Sequence, residues 1–156
     1  YFDSLSMQLQ RPGNDNEYAD KIKMLRQKIS RFEHEEDVTV TFHDPCRLGR
    51  QMNIYDQPRD LISGVEGVDL VEMEHHGEDA LCCGVSSMMS CNENSRALRV
   101  QRFEEVNATG ADIMLTSCPK CVSHFECLKF EGDPKHDFEI LDVVSFLARQ
   151  VEAGRK

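Results

Sequence analysis

The stretch Val38-Thr39-Val40-Thr41-Phe42, followed by His43-Asp44-Pro45-Cys46, decides the fold. Five β-branched and aromatic residues in a row suit a pleated strand, and Pro45 holds Asp44 out of helical geometry and ends it. A cysteine therefore stands directly after a strand. Downstream the same cycle recurs. Asp56 is expected to cap a short helix with Pro58 in its first turn, running to about Ser63 and stopped by Gly64. Val68 to Met73 reads as a second strand, and the polar run Glu74 to Asp79 leads into the loop Leu81-Cys82-Cys83-Gly84. Glu93 to Thr109 reads as a helix with Ala97, Val100, Phe103 and Val106 on one side and Gly110 as its stop. Asp112 to Thr116 is a third strand. Cys118-Pro119-Lys120-Cys121 then opens a helix continued by Val122, Phe125 and Leu128. Phe138 to Leu141 makes a short last strand, and Asp142 caps a final helix carrying Val143, Val144, Leu147 and Val151.

Toward the N-terminus, Tyr18, Ile22, Leu25, Ile29 and Phe32 recur at steps of three and four, one face of an amphipathic helix. Residues 1–16 are polar and aperiodic, a linker or arm. The expected organisation is thus an arm (1–16), a helix leading in (17–37) and one cysteine-rich domain (38–152). Alternating strands and helices imply an α/β fold of three layers with a largely parallel sheet of three to four strands. Sites in such sheets lie outside the carboxyl ends of the strands, so the cysteine loops are expected along one sheet edge.

Composition narrows the function. The 156 residues are 40% hydrophobic with a net charge of −10, which suits a single globular domain and argues against a nucleic-acid partner, since binding phosphates needs Lys and Arg. No run of eighteen apolar residues and no basic, apolar leader is present, so no direct membrane span is expected and the location is read as cytoplasmic. The start at Tyr1 suggests that upstream sequence is missing. Seven cysteines without an export signal point to metal or redox use.

The spacing of five of them, Cys46, Cys82, Cys83, Cys118 and Cys121, is Cys-x35-Cys-Cys-x34-Cys-x2-Cys. A single zinc takes four ligands, so five converging thiolates are one too many. Adjacent side chains diverge, and Cys82 and Cys83 suit different irons of a polynuclear cluster better than one ion. Plainer readings stand beside this one. Cys118-Pro119-Lys120-Cys121 also fits a thioredoxin-like dithiol, and Cys82 and Cys83 also fit buried thiols or a vicinal disulfide. Cys91 and Cys127 read as buried structural thiols. His75 and His76 read as solvated or as a proton source or ligand, and His43 as a strand-end residue packed beside the site. Lys120 and Arg47 read as exposed, or as counter-charges to a thiolate cluster.

His43-Asp44-Pro45-Cys46, Cys82-Cys83-Gly84 and Cys118-Pro119-Lys120-Cys121 together resemble the cysteine-rich CCG domain. That family includes the catalytic subunit of heterodisulfide reductases and iron–sulfur subunits of glycolate, lactate and glycerol-3-phosphate oxidoreductases. The similarity runs from about Val38 to Leu147 and is to the second, C-terminal copy of the domain. It implies a noncubane [4Fe-4S] cluster on Cys46, Cys82, Cys83, Cys118 and Cys121, used for disulfide reduction or electron transfer. It also implies an electron-transfer partner subunit or upstream domains, a second CCG domain, and membrane association only through partners. A zinc-binding structural module using four of the five cysteines is the alternative. The pattern departs after Gly84, where Val85, Ser86, Ser87, Met88 and Met89 replace further glycines.

Overall fold

The computed structural model describes residues 37–84, 92–130 and 136–153. The expected arm, the Glu17–Phe32 helix, the Val85–Met89 run and Cys91 lie outside these residues. The elements are β1 (Val38–His43), α1 (Asp56–Ile62), β2 (Val68–Leu70), a 3-10 turn (Gly77–Asp79), α2 (Glu93–Thr109), β3 (Ile113–Thr116), α3 (Pro119–Phe130), β4 (Glu139–Asp142) and α4 (Val143–Ala153).

The four strands form one sheet in the order β2-β1-β3-β4. Every pairing is parallel, with Val38 opposite Val68, Val40 opposite Ile113 and Ile113 opposite Glu139. Parallel sheets are covered on both faces, and the two hydrophobic clusters show how. Val40, Phe42 and Leu115 pack with Ile62 of α1 and with Val143 and Phe146 of α4. Met114 and Ile140 pack on the opposite face with Phe103 and Val106 of α2 and with Cys121, Phe125 and Leu128 of α3. The result is the expected three-layer α/β fold.

The chain moves from β1 to β2 with α1 on one face, then crosses back to β3 with α2 on the other. The winding therefore reverses between β1 and β3, which makes the carboxyl ends of these two strands the switch point of the sheet. The Cys46 turn follows one of them and Cys118 follows the other.

Local differences from the sequence reading have physical causes. Asp56 is the first residue of α1 and not its cap, Tyr55 precedes it without a side-chain capping bond, and Ser63 ends the helix before Gly64. The carboxylate instead lies at the positive end of the helix dipole. β2 stops at Leu70 and not at Met73, because Glu72 turns to Arg59 (2.6 Å) and Met73 enters the core beneath α2. In α4, Val144 is 62% exposed, and the buried anchor is Phe146, which the apolar periodicity does not single out. Asp142 caps α4 as expected, its Oδ1 accepting from the Val144 amide at 2.9 Å. Gly110 ends α2 in the left-handed region at φ 70°, also as expected.

Candidate metal centre

Cys118 immediately precedes α3, where unpaired amides collect at a helix N-terminus. Its sulfur accepts hydrogen bonds from the Cys121 thiol and from the amides of Cys121 and Lys120. The Cys121 thiol bond is the largest influence; it and the amides outweigh partial burial and bring Cys118 down to about 6. Cys121, one helical turn on, faces inward and is buried. Its sulfur lies 3.1 Å from that of Cys83. Bonds to the Cys118 and Cys83 sulfurs, then burial, push the Cys121 thiol well up, so it stays protonated while Cys118 carries the charge.

The Cys-Cys-Gly loop reaches this helix through its backbone. The Cys83 carbonyl bonds His124 Nδ1 of α3 (2.9 Å), and the Gly84 carbonyl accepts from Ser95 Oγ (2.9 Å) at the start of α2. Asn92 caps that helix by accepting from the Ser95 amide at 2.9 Å. Gly84 has φ 83°, and a Cβ there would sit 2.6 Å from the Ser95 carbonyl oxygen, so only glycine fits. The third residue of Cys-Cys-Gly thus sets how closely the pair approaches α2. Cys83 is buried and Cys82 half-buried, as diverging neighbours should be.

Cys46 is exposed and lies on the turn after β1, outside the Cys83–Cys118–Cys121 group. The turn is nevertheless fastened to the loop that leads to Cys82. Arg50 Nη2 donates to the Ala80 carbonyl (2.6 Å), and the Gly77 amide donates to Asp44 Oδ2 (2.8 Å). Asp44 also takes a two-pronged pair from Arg59 (2.7 and 2.8 Å), and Arg59 reaches on to Glu72. Burial alone would lower Arg59, but the two carboxylates outweigh it and raise it, so it remains charged. In the sequence Asp44 reads only as part of a strand stop; the structure makes it the tie between strand, helix and loop.

Behind the sulfurs lies a buried polar group: His43 packs beside the site as expected, while its partners Arg102 and Glu105 were not foreseen from the sequence. His43, 1% exposed, has a ring nitrogen within 4.8 Å of the Cys83 and Cys121 sulfurs. It stands edge-on to Phe125 at 4.9 Å and hydrogen-bonds to Cys83. Burial, partly opposed by that bond, lowers its pKa. Arg102 of α2 is fully buried; its Nε donates to His43 Nδ1 (3.1 Å) and its Nη1 to the His75 carbonyl (2.6 Å) and to Glu105. Glu105 in turn holds His75 Nδ1 at 2.7 Å. Burial lowers Arg102, against the pull of Glu105. Arg99, 1% exposed, joins α2 to α3 through the His124 carbonyl at 3.2 Å.

The α2 face thus differs from the expected one. Ala97 is exposed, and Ser95, Arg99, Arg102 and Val106 at steps of four, three and four lie buried with Phe103 and Glu105. The available signal was the thinness of the apolar stripe, which for seventeen residues offers only Phe103 and Val106 as large buried apolar side chains. Lys120 and Arg47 are exposed, the plainer of their two readings, whereas Arg102 is a buried cation bonded to His43, whose ring lies within 4.8 Å of the Cys83 and Cys121 sulfurs. His75 is half-buried against Glu105 and not simply solvated, whereas His76 is exposed with Nδ1 at the Met73 carbonyl (2.8 Å). Cys127, expected to be buried, is exposed on α3.

The donor set is soft and sulfur-rich, it has one low-pKa thiolate, and it stands beside a buried guanidinium whose Nη2 finds no partner among the described residues. Those features fit an anionic thiolate-bound metal group. The comparison with known families agrees with the motif: the cysteine-rich CCG domain matches residues 40–126, more than half of the chain. The chain belongs to the CCG family.

Its curated relatives are longer proteins. It is 33% identical over 123 residues to the "Probable iron-sulfur-binding oxidoreductase FadF" of Bacillus subtilis, covering 78% of this chain and 17% of that protein. It is 33% identical over 127 residues to a subunit of the dihydromethanophenazine:CoB–CoM heterodisulfide reductase of Methanosarcina mazei, covering 80% and 31%. With a subunit of the fumarate reductase (CoM/CoB) of Methanothermobacter marburgensis the figures are 29% over 114 residues, 71% and 22%. This CCG chain spans less than a third of the length of each of these three relatives. No helix among its described residues is long and apolar enough to cross a membrane.

Proposed function

We propose that this CCG domain is the cluster-binding part of a heterodisulfide reductase-like oxidoreductase. In this reading Cys46, Cys82, Cys83, Cys118 and Cys121 hold a noncubane [4Fe-4S] cluster. The cluster would supply one-electron steps for disulfide reduction or onward electron transfer. The observation that carries the reading is the meeting of Cys83 with Cys118 and Cys121 at the strand ends, the two inner sulfurs 3.1 Å apart. A dithiol enzyme would need only Cys118 and Cys121, and would leave a third buried thiol in contact with them unexplained.

Within this reading the chain's residues divide the task. Cys118 supplies a thiolate at neutral pH, so one ligand is already deprotonated. Arg102 offsets negative charge from within the core, and Asp44 with Arg50 holds the Cys46 turn against the Cys82 loop. Cys46, the exposed one of the five, marks the side from which a substrate or partner subunit would approach. Electrons would come from upstream domains or a partner subunit, consistent with relatives whose names mark them as subunits of larger reductases.

Anaerobic purification followed by iron and acid-labile sulfide analysis tests the reading. The expected result is a brown protein with iron and sulfide in about equal amounts, about four of each per chain. Cys83→Ser should lose most of both. A colourless chain with one tightly held zinc, or a Cys83→Ser variant with unchanged metal content, would sink the reading.

A further inference from the structure

His43 lies where a metal ligand could lie, with a nitrogen within 4.8 Å of two cysteine sulfurs. The side chain behind it decides otherwise. A metal-bound histidine normally donates its second ring N–H to a carbonyl or carboxylate. Here Nδ1 faces a donor, the Nε–H of Arg102 at 3.1 Å. A guanidinium has five N–H donors and no acceptor, so Nδ1 must present its lone pair. Were Nε2 to bind a metal as well, both ring nitrogens would be without a proton and the ring would have to be an imidazolate.

Arg102 cannot swing aside to relieve this. It is fully buried, and its Nη1 is fixed by the His75 carbonyl at 2.6 Å and by Glu105, itself bonded to His75 Nδ1. The ring is fixed too, edge-on against Phe125.

We propose that Arg102 is a positioning residue that holds His43 as its Nε2–H tautomer, making His43 an N–H donor to the Cys83 sulfur and not a metal ligand. The proposal deepens the cluster reading and rests on it for the role of Cys83 as a ligand. A hydrogen bond donated to a ligating sulfur stabilises the more negative, reduced state, so the donor raises the midpoint potential of the group that Cys83 holds.

The first test needs no metal. Long-range proton–nitrogen NMR of the full chain, labelled with 15N-histidine at neutral pH, should show His43 with its proton on Nε2; a proton on Nδ1 overturns the proposal. The second test uses the anaerobically loaded chain. His43→Phe keeps the ring against Phe125 but has no N–H, and it should retain wild-type iron and sulfide while its potential falls. Loss of iron in His43→Phe, on the scale seen for Cys83→Ser, would make His43 a ligand and overturn the proposal.

Arg102→Met should also lower the potential. Because Arg102 acts partly through His43, the double variant should shift by less than the sum of the two singles; full additivity overturns the positioning role. If the chain holds no iron at all, the cluster reading fails while the tautomer measurement still decides this one.

Discussion

Along β1, Val40 and Phe42 join the α1–α4 side of the sheet, while Thr41 and His43, the alternate residues, are buried toward α2 and α3. Strand periodicity thus divides one six-residue element between two environments. The α1–α4 face is an apolar seam of Val40, Phe42, Ile62, Leu115, Val143 and Phe146. The α2–α3 face mixes Phe103, Phe125 and Leu128 with buried thiols, a histidine, two arginines and the hydroxyls of Thr41 and Thr116, neither of which finds a partner among the described residues. The fold takes its stability from the first face and places its chemistry on the second. Buried polar groups cost free energy unless paired, so the apolar face must supply what the other cannot.

The largest expected effect breaks the apolar face. Phe146→Ala removes a fully buried ring from the seam and should cost about 4 kcal/mol, read as a fall in the urea midpoint with little change in slope. On the polar face, cost should follow pairing more than size. Arg102→Met leaves Glu105 buried beside a lost partner and should cost about 3 kcal/mol, whereas Arg102→Met combined with Glu105→Leu should recover most of it. A double variant as unstable as the single would show that the guanidinium packs the face and does not merely balance a charge.

The elements were legible in the sequence; the polar character of the α2–α3 face was not. The β-branched run 38–42, the Gly110 stop and the Asp142 cap announced their elements, because each is a local preference of a few adjacent residues. The five-cysteine pattern pointed to a shared site, and the structure brings Cys83, Cys118 and Cys121 of that set into one group. The Arg102–His43 pair was not legible: its members lie 59 positions apart, and a charged residue on a helix reads as solvated unless its partner is known. The Asp44–Arg59–Glu72 tie was hidden for the same reason.

Smaller effects sharpen the contrast. Asp142→Ala on the apolar side should cost about 1 kcal/mol through the lost cap, with the metal content of the loaded chain unchanged. The smallest effect is a pH slope belonging to the polar side. Cys118 is lowered from 9.0 to about 6, so its contribution to the stability of the metal-free chain is complete above pH 9 and is lost as pH falls through about 6. Cys121 is raised and works in the opposite sense, so its contribution is complete below pH 9 and declines above it. Thermal midpoints of the metal-free chain should therefore rise from pH 6 toward 9 and then turn over. Cys118→Ser should flatten the rising limb; an unaltered limb would place the titration elsewhere.

The all-parallel sheet also imposes an order in time. Pairing β1 with β3 sets residue 40 beside residue 113, so the chain between them must be gathered in before these strands meet. Contacts of such long range form slowly, because loop-closure entropy is spent before the pairing returns anything. Cys46, just past His43 of β1, and Cys118, just past Thr116 of β3, reach the same sheet edge only with that closure. A newly made chain therefore passes through a period in which its thiols are separate and open to oxidants, and delivery of any metal to the assembled site has to wait for the longest step of folding.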